Sequence, residues 1–145
     1  MSSELIDPTT PEREKARGKL ERDLICWFIT THPDGRPHAV PVWFYWRDGH
    51  LFVFSRPDAV KVAHVRRGSP VLIHLEGGRF GNDVVVLNGT AEISNRSSAE
   101  TLADFRDAYE AKYTEAIADY GMSLDEIVEM FSTAIVFTPE RLLAW

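Results

Sequence analysis

Short apolar runs rich in β-branched and aromatic residues recur along the chain, and this composition predicts β-strands. Tight-turn signals such as Pro33-Asp34-Gly35 and Asp48-Gly49 separate these stretches. Short strands joined by such turns are typical of an antiparallel sheet that curls into a barrel. The predicted strands cover residues 24–31, 36–46, 51–55, 71–75 and 83–94, and a final strand and tail cover 134–137 and 142–145.

Elsewhere apolar residues recur with a period near 3.6, which predicts helices. One helix covers Pro11–Arg22, where Pro11 suits the first helical position because an N–H there has no partner within the helix. A short helix covers residues 61–67, a long one covers 98–120, and another begins after Ser123. The long helix has one apolar face, formed by Leu102, Phe105, Tyr109, Tyr113, Ile117 and Tyr120.

The chain of 145 residues has the length of one domain, so we expect a single domain over 1–145 with a flexible tail over 1–10. A net charge of −6 argues against a nucleic-acid partner, because such proteins are normally basic. Cys26 is the only cysteine, which excludes an intramolecular disulfide. The apolar runs fall short of the roughly 20 residues of a membrane span, and no secretion signal precedes them. We therefore expect a cytoplasmic protein without a membrane partner.

A local cluster of positive charge stands out against the acidic total. The stretch Ser55-Arg56-Pro57-Asp58-Ala59-Val60-Lys61 leaves a predicted strand and enters a predicted helix. A hydroxyl, a guanidinium and an ammonium group beside the first N–H groups of a helix can hold a phosphate. The spacing is equally compatible with an ordinary solvated helix, so it leaves both interpretations open.

The strand over residues 36–46 is unusual in having apolar side chains on both faces. Pro37 and Pro41 cannot donate to a strand ladder, which predicts an exposed edge or a bulge. The run Trp43-Phe44-Tyr45-Trp46 sends aromatic rings alternately to the two faces. Core packing is the simplest interpretation, and a second chain or a flat aromatic ligand could also cover one face.

Several common catalytic patterns are missing from the sequence. Its histidines show no HxxxH or HExxH spacing, which argues against a metal site. Neither a GxSxG elbow nor a GxGxxG motif after a strand is present. No catalytic residue is assigned, although His38, Tyr45 and His74 are candidate proton donors.

The segment RPHAVPVWFYWRDGHLFVFSRPDAVKVAHVRRGSPVLIHL resembles the pyridoxamine 5′-phosphate oxidase-like split-barrel superfamily, and within it the small group B flavin/deazaflavin oxidoreductases. The resemblance extends over about residues 15–145. It implies a mainly β fold with peripheral helices, namely a six-stranded antiparallel split β-barrel of the FMN-binding type. It also implies a homodimer with two equivalent cofactor sites at its interface. The residues matching the family's cofactor contacts are Ala39, Val40, Pro41, Val42 and Trp43 along the ring, and Ser55, Arg56 and Lys61 at the phosphate.

The function that this resemblance implies is oxidoreduction with coenzyme F420. Reduced deazaflavin would pass a hydride to an unsaturated or quinone-like organic substrate, while the protein binds and shields it. An FMN-dependent reductase or oxidase is the main alternative on the same scaffold. A non-catalytic cofactor-binding dimer and a dimer with a vestigial site are further alternatives.

Overall fold

The computed structural model describes residues 5–145. The strands are β1 (Cys26–Thr31), β2 (Pro37–Val42), β3 (Tyr45–Arg47), β4 (His50–Ser55), β5 (Val71–His74), β6 (Val85–Ser97) and β7 (Thr133–Ala144). The helices are α1 (Pro11–Arg22), α2 (Val60–Arg66), α3 (Ser98–Leu102), α4 (Arg106–Lys112), α5 (Thr114–Tyr120) and α6 (Leu124–Met130). The mainly β class with peripheral helices is confirmed.

The strands form one antiparallel, seven-stranded sheet in the order β2-β1-β5-β6-β7-β4-β3. The expectation of a six-stranded barrel is wrong in both strand number and closure, because seven strands are present and the edge strands β2 and β3 each pair with one neighbour only within residues 5–145. The additional strand arises within the predicted strand 36–46. The backbone leaves the extended ladder at Trp43 and Phe44, so this segment supplies β2 to one edge and β3 to the other.

The same two-residue link forces the sheet to curl. Consecutive Cα atoms are about 3.8 Å apart, so the Cα atoms of Val42 and Tyr45 are separated by at most about 11 Å. Two strands at opposite edges of a sheet can be this close only if the sheet bends back on itself. The main core fills the concave side and includes Phe28, Phe44, Leu51, Ile73, Leu87, Ile135 and Phe137.

One long strand replaces the predicted short strand 134–137 and the tail 142–145. Strand β7 runs continuously along β6, with a register shift at Asn88 and Gly89. A Cβ atom at Gly89 would lie 2.1 Å from the carbonyl oxygen of Thr138, so a glycine is needed where the two backbones approach. The bulge keeps the ladder continuous where the sequence showed only a break.

The predicted long helix 98–120 is also wrong, because it consists of three short helices. Helix α3 ends before Phe105, and α4 and α5 are separated at Tyr113, whose φ and ψ of −109° and 20° depart from the helical values. Both aromatic side chains turn inward at these breaks and are almost fully buried. With Leu102, Tyr109, Leu124 and Val128 they form a second apolar cluster, which covers Tyr45, Phe52 and Phe54 on the other side of the sheet.

The two remaining helices close other parts of the molecule. Helix α1 contributes Ala16 and Leu20 to the main core, and α2 contributes Val62 and Val65. Of the predicted tail, residues 1–4 lie outside the described part of the chain, while Ile6 packs into the core. No helix formed by residues 5–145 has the length and apolar character that crossing a bilayer requires.

Candidate functional site

A cavity of about 340 Å³ opens where the end of β2 meets β4, α2 and the helices α4 to α6. Its lining is mostly apolar and aromatic, and among residues 5–145 Lys61 is the only charged residue in it. The lining residues are Ile25, Pro41, Val42, Trp43, Phe54, Lys61, Tyr109, Tyr120, Ile127 and Phe131. Pockets for small organic ligands commonly have this character: an apolar wall with few polar groups.

Trp43 forms a rigid part of this wall. Its indole stacks on the Tyr113 ring, with ring centroids 4.8 Å apart and planes inclined by 10°. Tyr120 meets it edge-on at a centroid distance of 6.2 Å. Because one face of the indole is covered by Tyr113, the ring is held in place beside the cavity.

The backbone after Trp43 is held by the last residue of α4, Lys112, and by Tyr113, which follows it. The Tyr113 hydroxyl accepts a hydrogen bond from the Phe44 N–H at 2.8 Å. The Lys112 ammonium donates to the Phe44 carbonyl at 2.9 Å and lies 3.8 Å from the centroid of the Phe44 ring. Burial lowers the pKa of Lys112 to about 8, against a weaker opposite effect of Cys26 and Asp23. These contacts satisfy the polar groups that the break between β2 and β3 exposes.

Lys61 supplies the positive charge of the cavity. Its side chain is half-buried, and within residues 5–145 it forms neither a salt bridge nor a hydrogen bond. Burial lowers its pKa below the usual lysine value. Placing an ammonium group in such a position costs free energy unless a counter-charge is provided. Lys61 is therefore a candidate ligand for an anionic group.

The other two residues of the predicted phosphate site are placed differently. The Ser55 side chain is fully buried, and its hydroxyl donates to the Arg56 carbonyl at 3.0 Å. Arg56 is exposed, with its guanidinium 3.1 Å from the Met130 sulfur and 5.3 Å from the Phe131 ring centroid. Since Phe131 lines the cavity, Arg56 lies at the rim, whereas Ser55 supports the backbone beneath it.

Strand alternation divides the predicted ring-binding segment. Pro41, Val42 and Trp43 line the cavity, while Val40 packs against the main core and Ala39 is exposed on the outer face. Pro41 is opposite Trp27 in the register, and a proline cannot donate to β1. Paired bonds alternate along an antiparallel ladder, so the backbone N–H of Ala39 points to the free edge of β2. A ligand beside this strand would meet backbone groups as well as side chains.

Six lining residues were missing from the sequence-based prediction: Ile25, Phe54, Tyr109, Tyr120, Ile127 and Phe131. Tyr109 and Tyr120 belong to the apolar helical face that the sequence assigned to packing. The only sign that these residues could line a cavity was that aromatic residues continue to Tyr120 at the end of that face. Ile25, Phe54 and Phe131 carry no local signal, because their place in the wall depends on how distant elements meet.

A sequence profile of the pyridoxamine 5′-phosphate oxidase family matches residues 12–145, which is nearly the whole chain. The chain belongs to this family. The resemblance seen in the sequence is thereby confirmed, and the fold agrees with it. No curated protein sequence matches this member of the family significantly.

Solved structures of similar fold cover most of the chain. The conserved hypothetical protein Rv2991 from Mycobacterium tuberculosis has a TM-score of 0.71 and 24% identity, covering 94% of this chain and 85% of its own. An F420 reductase has a TM-score of 0.63 and 17% identity, covering 88% and 94%. A FAD-binding protein from Mesorhizobium loti has a TM-score of 0.55 and 19% identity, covering 86% and 88%. At these identities the likeness concerns the fold.

Proposed function

We propose that this family member is an oxidoreductase that binds coenzyme F420 in the cavity and uses it to reduce an unsaturated or quinone-like organic compound. The observation that carries the proposal is the half-buried Lys61 ammonium, which lacks a carboxylate partner within residues 5–145 and stands in an otherwise apolar, aromatic cavity. Membership of the pyridoxamine 5′-phosphate oxidase family and a fold shared with an F420 reductase support it.

The residues present fit a planar ring with a phosphate-bearing tail. A volume of about 340 Å³ lies within the usual range for small-ligand pockets. Trp43 and Tyr120 offer aromatic surface to a flat ring, and the free edge of β2 offers the Ala39 N–H and nearby carbonyl groups. Lys61 holds the phosphate, with Arg56 at the rim as a second cation. Ser55 acts on the Arg56 backbone through its hydroxyl.

When bound, the deazaflavin supplies hydride transfer, a two-electron step in which the acceptor gains a hydride and a proton. The protein's part is binding, orientation and exclusion of water. Pro41, Val42 and Trp43 give the ring a fixed apolar wall, because the backbone at Phe44 is held by Lys112 and Tyr113. An apolar wall also keeps water from the reacting atoms.

FMN is the second candidate cofactor on the same site. Its ring and phosphate make the same demands on the Trp43 wall and on Lys61. The fold shared with a FAD-binding protein favours a flavin over no cofactor. A non-catalytic cofactor-binding protein would have the same cavity and is separated from the enzyme only by turnover.

We expect the active form to be a homodimer. One row of side chains crosses the outer face of five adjacent strands, and it consists of Pro41, Trp27, His74, Val86 and Leu143. These side chains are all half-buried or exposed, and Leu143 is 53% exposed. Pro41 belongs both to this face and to the cavity wall, so a second copy on the face would border the site. A contiguous apolar surface of this kind is typical of interaction sites.

The proposal is tested by titrating cofactor-free protein with coenzyme F420 and with FMN while following tryptophan fluorescence. Trp43 should report the docking of a ring, and Trp43→Phe should remove most of the signal while binding measured by calorimetry persists. Tighter binding of F420, followed by oxidation of reduced F420 with a quinone or an enone, supports the proposal. Tighter binding of FMN would replace it by the flavin alternative. Binding without turnover would favour the non-catalytic alternative, and no binding of either cofactor would refute all three.

A further inference from the structure

Three histidines from different elements meet at the end of the sheet beside α2. His32 follows β1, His38 lies on β2, and His64 lies on α2. Their ring centroids are 4.5 Å apart for His32 and His64, 5.4 Å for His32 and His38, and 5.6 Å for His38 and His64. All three pairs meet edge-on, so each imidazole lies in contact distance of the other two.

The cluster is not arranged as a metal-ligand set. Within residues 5–145 no group of three or more histidine, cysteine or carboxylate side chains is placed to hold a metal ion. The three rings therefore interact mainly with one another, with protons and with their charged neighbours.

His64 links α2 to the sheet through a hydrogen bond with Thr30. Its ring is 3% exposed, and Nδ1 is 2.7 Å from the hydroxyl oxygen of Thr30 on β1. The neighbouring Val62 and Val65 pack into the main core, and the Arg67 guanidinium donates to the Thr31 carbonyl. The same short helix carries Lys61 into the cavity. The position of Lys61 thus depends on how firmly α2 is held.

The charges around the cluster are mostly positive. The charge of Lys61 disfavours protonation of His38, and that of Arg67 disfavours protonation of His64. Asp34 is the carboxylate that interacts with His32, and it is already paired with Arg36. Strand β6, which also packs against α2, carries the exposed Glu92 and Arg96, and Arg96 is paired with Asp104. Protonation of the cluster therefore adds a positive charge beside existing cations, and the Asp34 carboxylate is already paired with Arg36.

Burial and these neighbouring charges lower the pKa of both His38 and His64 below the ordinary 6.5. The ordinary value is regained when α2 leaves the sheet or the chain unfolds. Below pH 6.5 the opened form then binds more protons than the closed form, so the closed form loses stability as the pH falls. Above pH 6.5 the rings are neutral in both forms and the contribution to stability is complete.

We infer that His32, His38 and His64 form an acid-sensitive latch that fastens α2, and with it Lys61, to the ends of β1 and β2. At neutral pH the neutral imidazoles pack edge-on, and His64 holds Thr30. In acid, protonated His38 and His64 repel each other and the cations beside them, and α2 is released. The anion-binding group of the cavity is then no longer held in place.

The latch is tested on the cofactor-free protein, so its outcome is independent of the proposed oxidoreductase activity. Hydrogen exchange of peptides covering residues 60–67 is compared with that of β6 at pH 7.5 and 5.5, after correction for the intrinsic pH dependence of exchange. Each proton taken up on opening changes the opening constant up to about tenfold per pH unit. We expect protection of α2 to fall over this range by up to about tenfold for each histidine that is protonated on opening, and by more than that of β6.

The variants separate the latch from general acid sensitivity. His64→Gln, whose amide can still bond Thr30, and the double variant His32→Gln/His38→Gln should each reduce the loss of α2 protection. The double variant leaves the Thr30 bond untouched and remains informative if His64→Gln does not fold. His50→Gln serves as the control and should behave like the wild type, because His50 is a half-buried histidine of β4 whose Nδ1 lies 3.0 Å from the Thr138 hydroxyl oxygen. An unchanged pH response of α2 in the double variant, or an equal loss in β6, would overturn the inference.

Discussion

The Tyr113 hydroxyl accepts a hydrogen bond from the backbone N–H of Phe44, a residue 69 positions away in the sequence. The oxygen of Tyr113 lies 2.8 Å from the Phe44 nitrogen and 2.9 Å from the Phe44 oxygen, and 2.7 Å from the carbonyl oxygen of Leu24. Phe44 is one of the two residues at which the chain passes from one edge of the sheet to the other. A side chain at the break between α4 and α5 therefore holds the backbone that forms the cavity wall.

Tyr113→Phe should lower the free energy of unfolding by about 1–3 kcal/mol, because the buried Phe44 N–H loses its acceptor. The Phe44 carbonyl keeps Lys112 as a donor, so the loss concerns mainly the N–H and the Leu24 carbonyl. Urea unfolding measures the change. Tyr120→Phe is the matched control, since the Tyr120 side chain is 44% exposed, and its stability should stay close to that of the wild type. Equal stability of both variants would contradict a structural role of the Tyr113 hydroxyl.

Lys61→Ala should weaken binding of the phosphate-bearing cofactor by about 1–3 kcal/mol, the range for losing a charge-assisted hydrogen bond. Folding should persist, because Lys61 forms no salt bridge or hydrogen bond within residues 5–145. Calorimetric titration of the variant and of Arg17→Ala provides the measurement. Arg17 is an exposed residue of α1 paired with Glu21, and its removal changes the net charge equally. Unchanged affinity in Lys61→Ala would remove Lys61 from the site.

Lys112 should give the protein a characteristic stability profile in mildly alkaline solution. Its pKa is about 8 in the fold, against 10.5 for an unperturbed lysine. Between these values the unfolded chain binds more protons, so this group makes the fold more stable as the pH rises. The free energy of unfolding of the wild type minus that of Lys112→Met should therefore increase from pH 7.5 to 9.5. Contributions of all other groups cancel in this difference, and a constant difference would contradict the buried ammonium.

Cys26 should be unreactive in the folded protein. Its side chain is fully buried, and burial raises the pKa of the thiol far above its usual range. Because the thiolate is the reactive form, alkylation at pH 8 should be negligible in the native state and complete in urea. Mass spectrometry after timed exposure to iodoacetamide distinguishes the two. Stoichiometric labelling of the native protein within minutes would show that the β1 segment opens readily.

Leu72→Glu should convert the proposed homodimer into a folded monomer. Leu72 lies at the middle of the outer sheet face, opposite Ile29 in the register, and is half-buried in the isolated chain. A buried carboxylate without a partner is costly at an interface, so association should be lost. Light scattering at micromolar concentration measures the mass, with Ala118→Glu on the exposed side of α5 as the control. A monomeric wild type would contradict the proposal that two copies of the chain border one cofactor site.

Local sequence was sufficient for much of the fold. Runs of β-branched and aromatic residues, bounded by turn dipeptides, located most strands, and the helix over Pro11–Arg22 begins and ends as expected. Lys61 stands out in the sequence at the start of a predicted helix, whereas Trp43 was assigned to the ring by the family resemblance. These features depend on neighbours in the chain, so a pattern of a few residues is enough to encode them.

Other features arose only when distant segments met. The break at Trp43 and Phe44 is stabilised by Lys112 and Tyr113, and no pattern near residue 44 encodes partners that lie almost 70 positions away. The helix predicted over 98–120 is interrupted because burial of Phe105 and Tyr113 outweighs continuous helical hydrogen bonding. The cavity wall and the histidine cluster have the same origin. Each combines side chains from separate elements, and their convergence depends on how the sheet curls and where the helices pack.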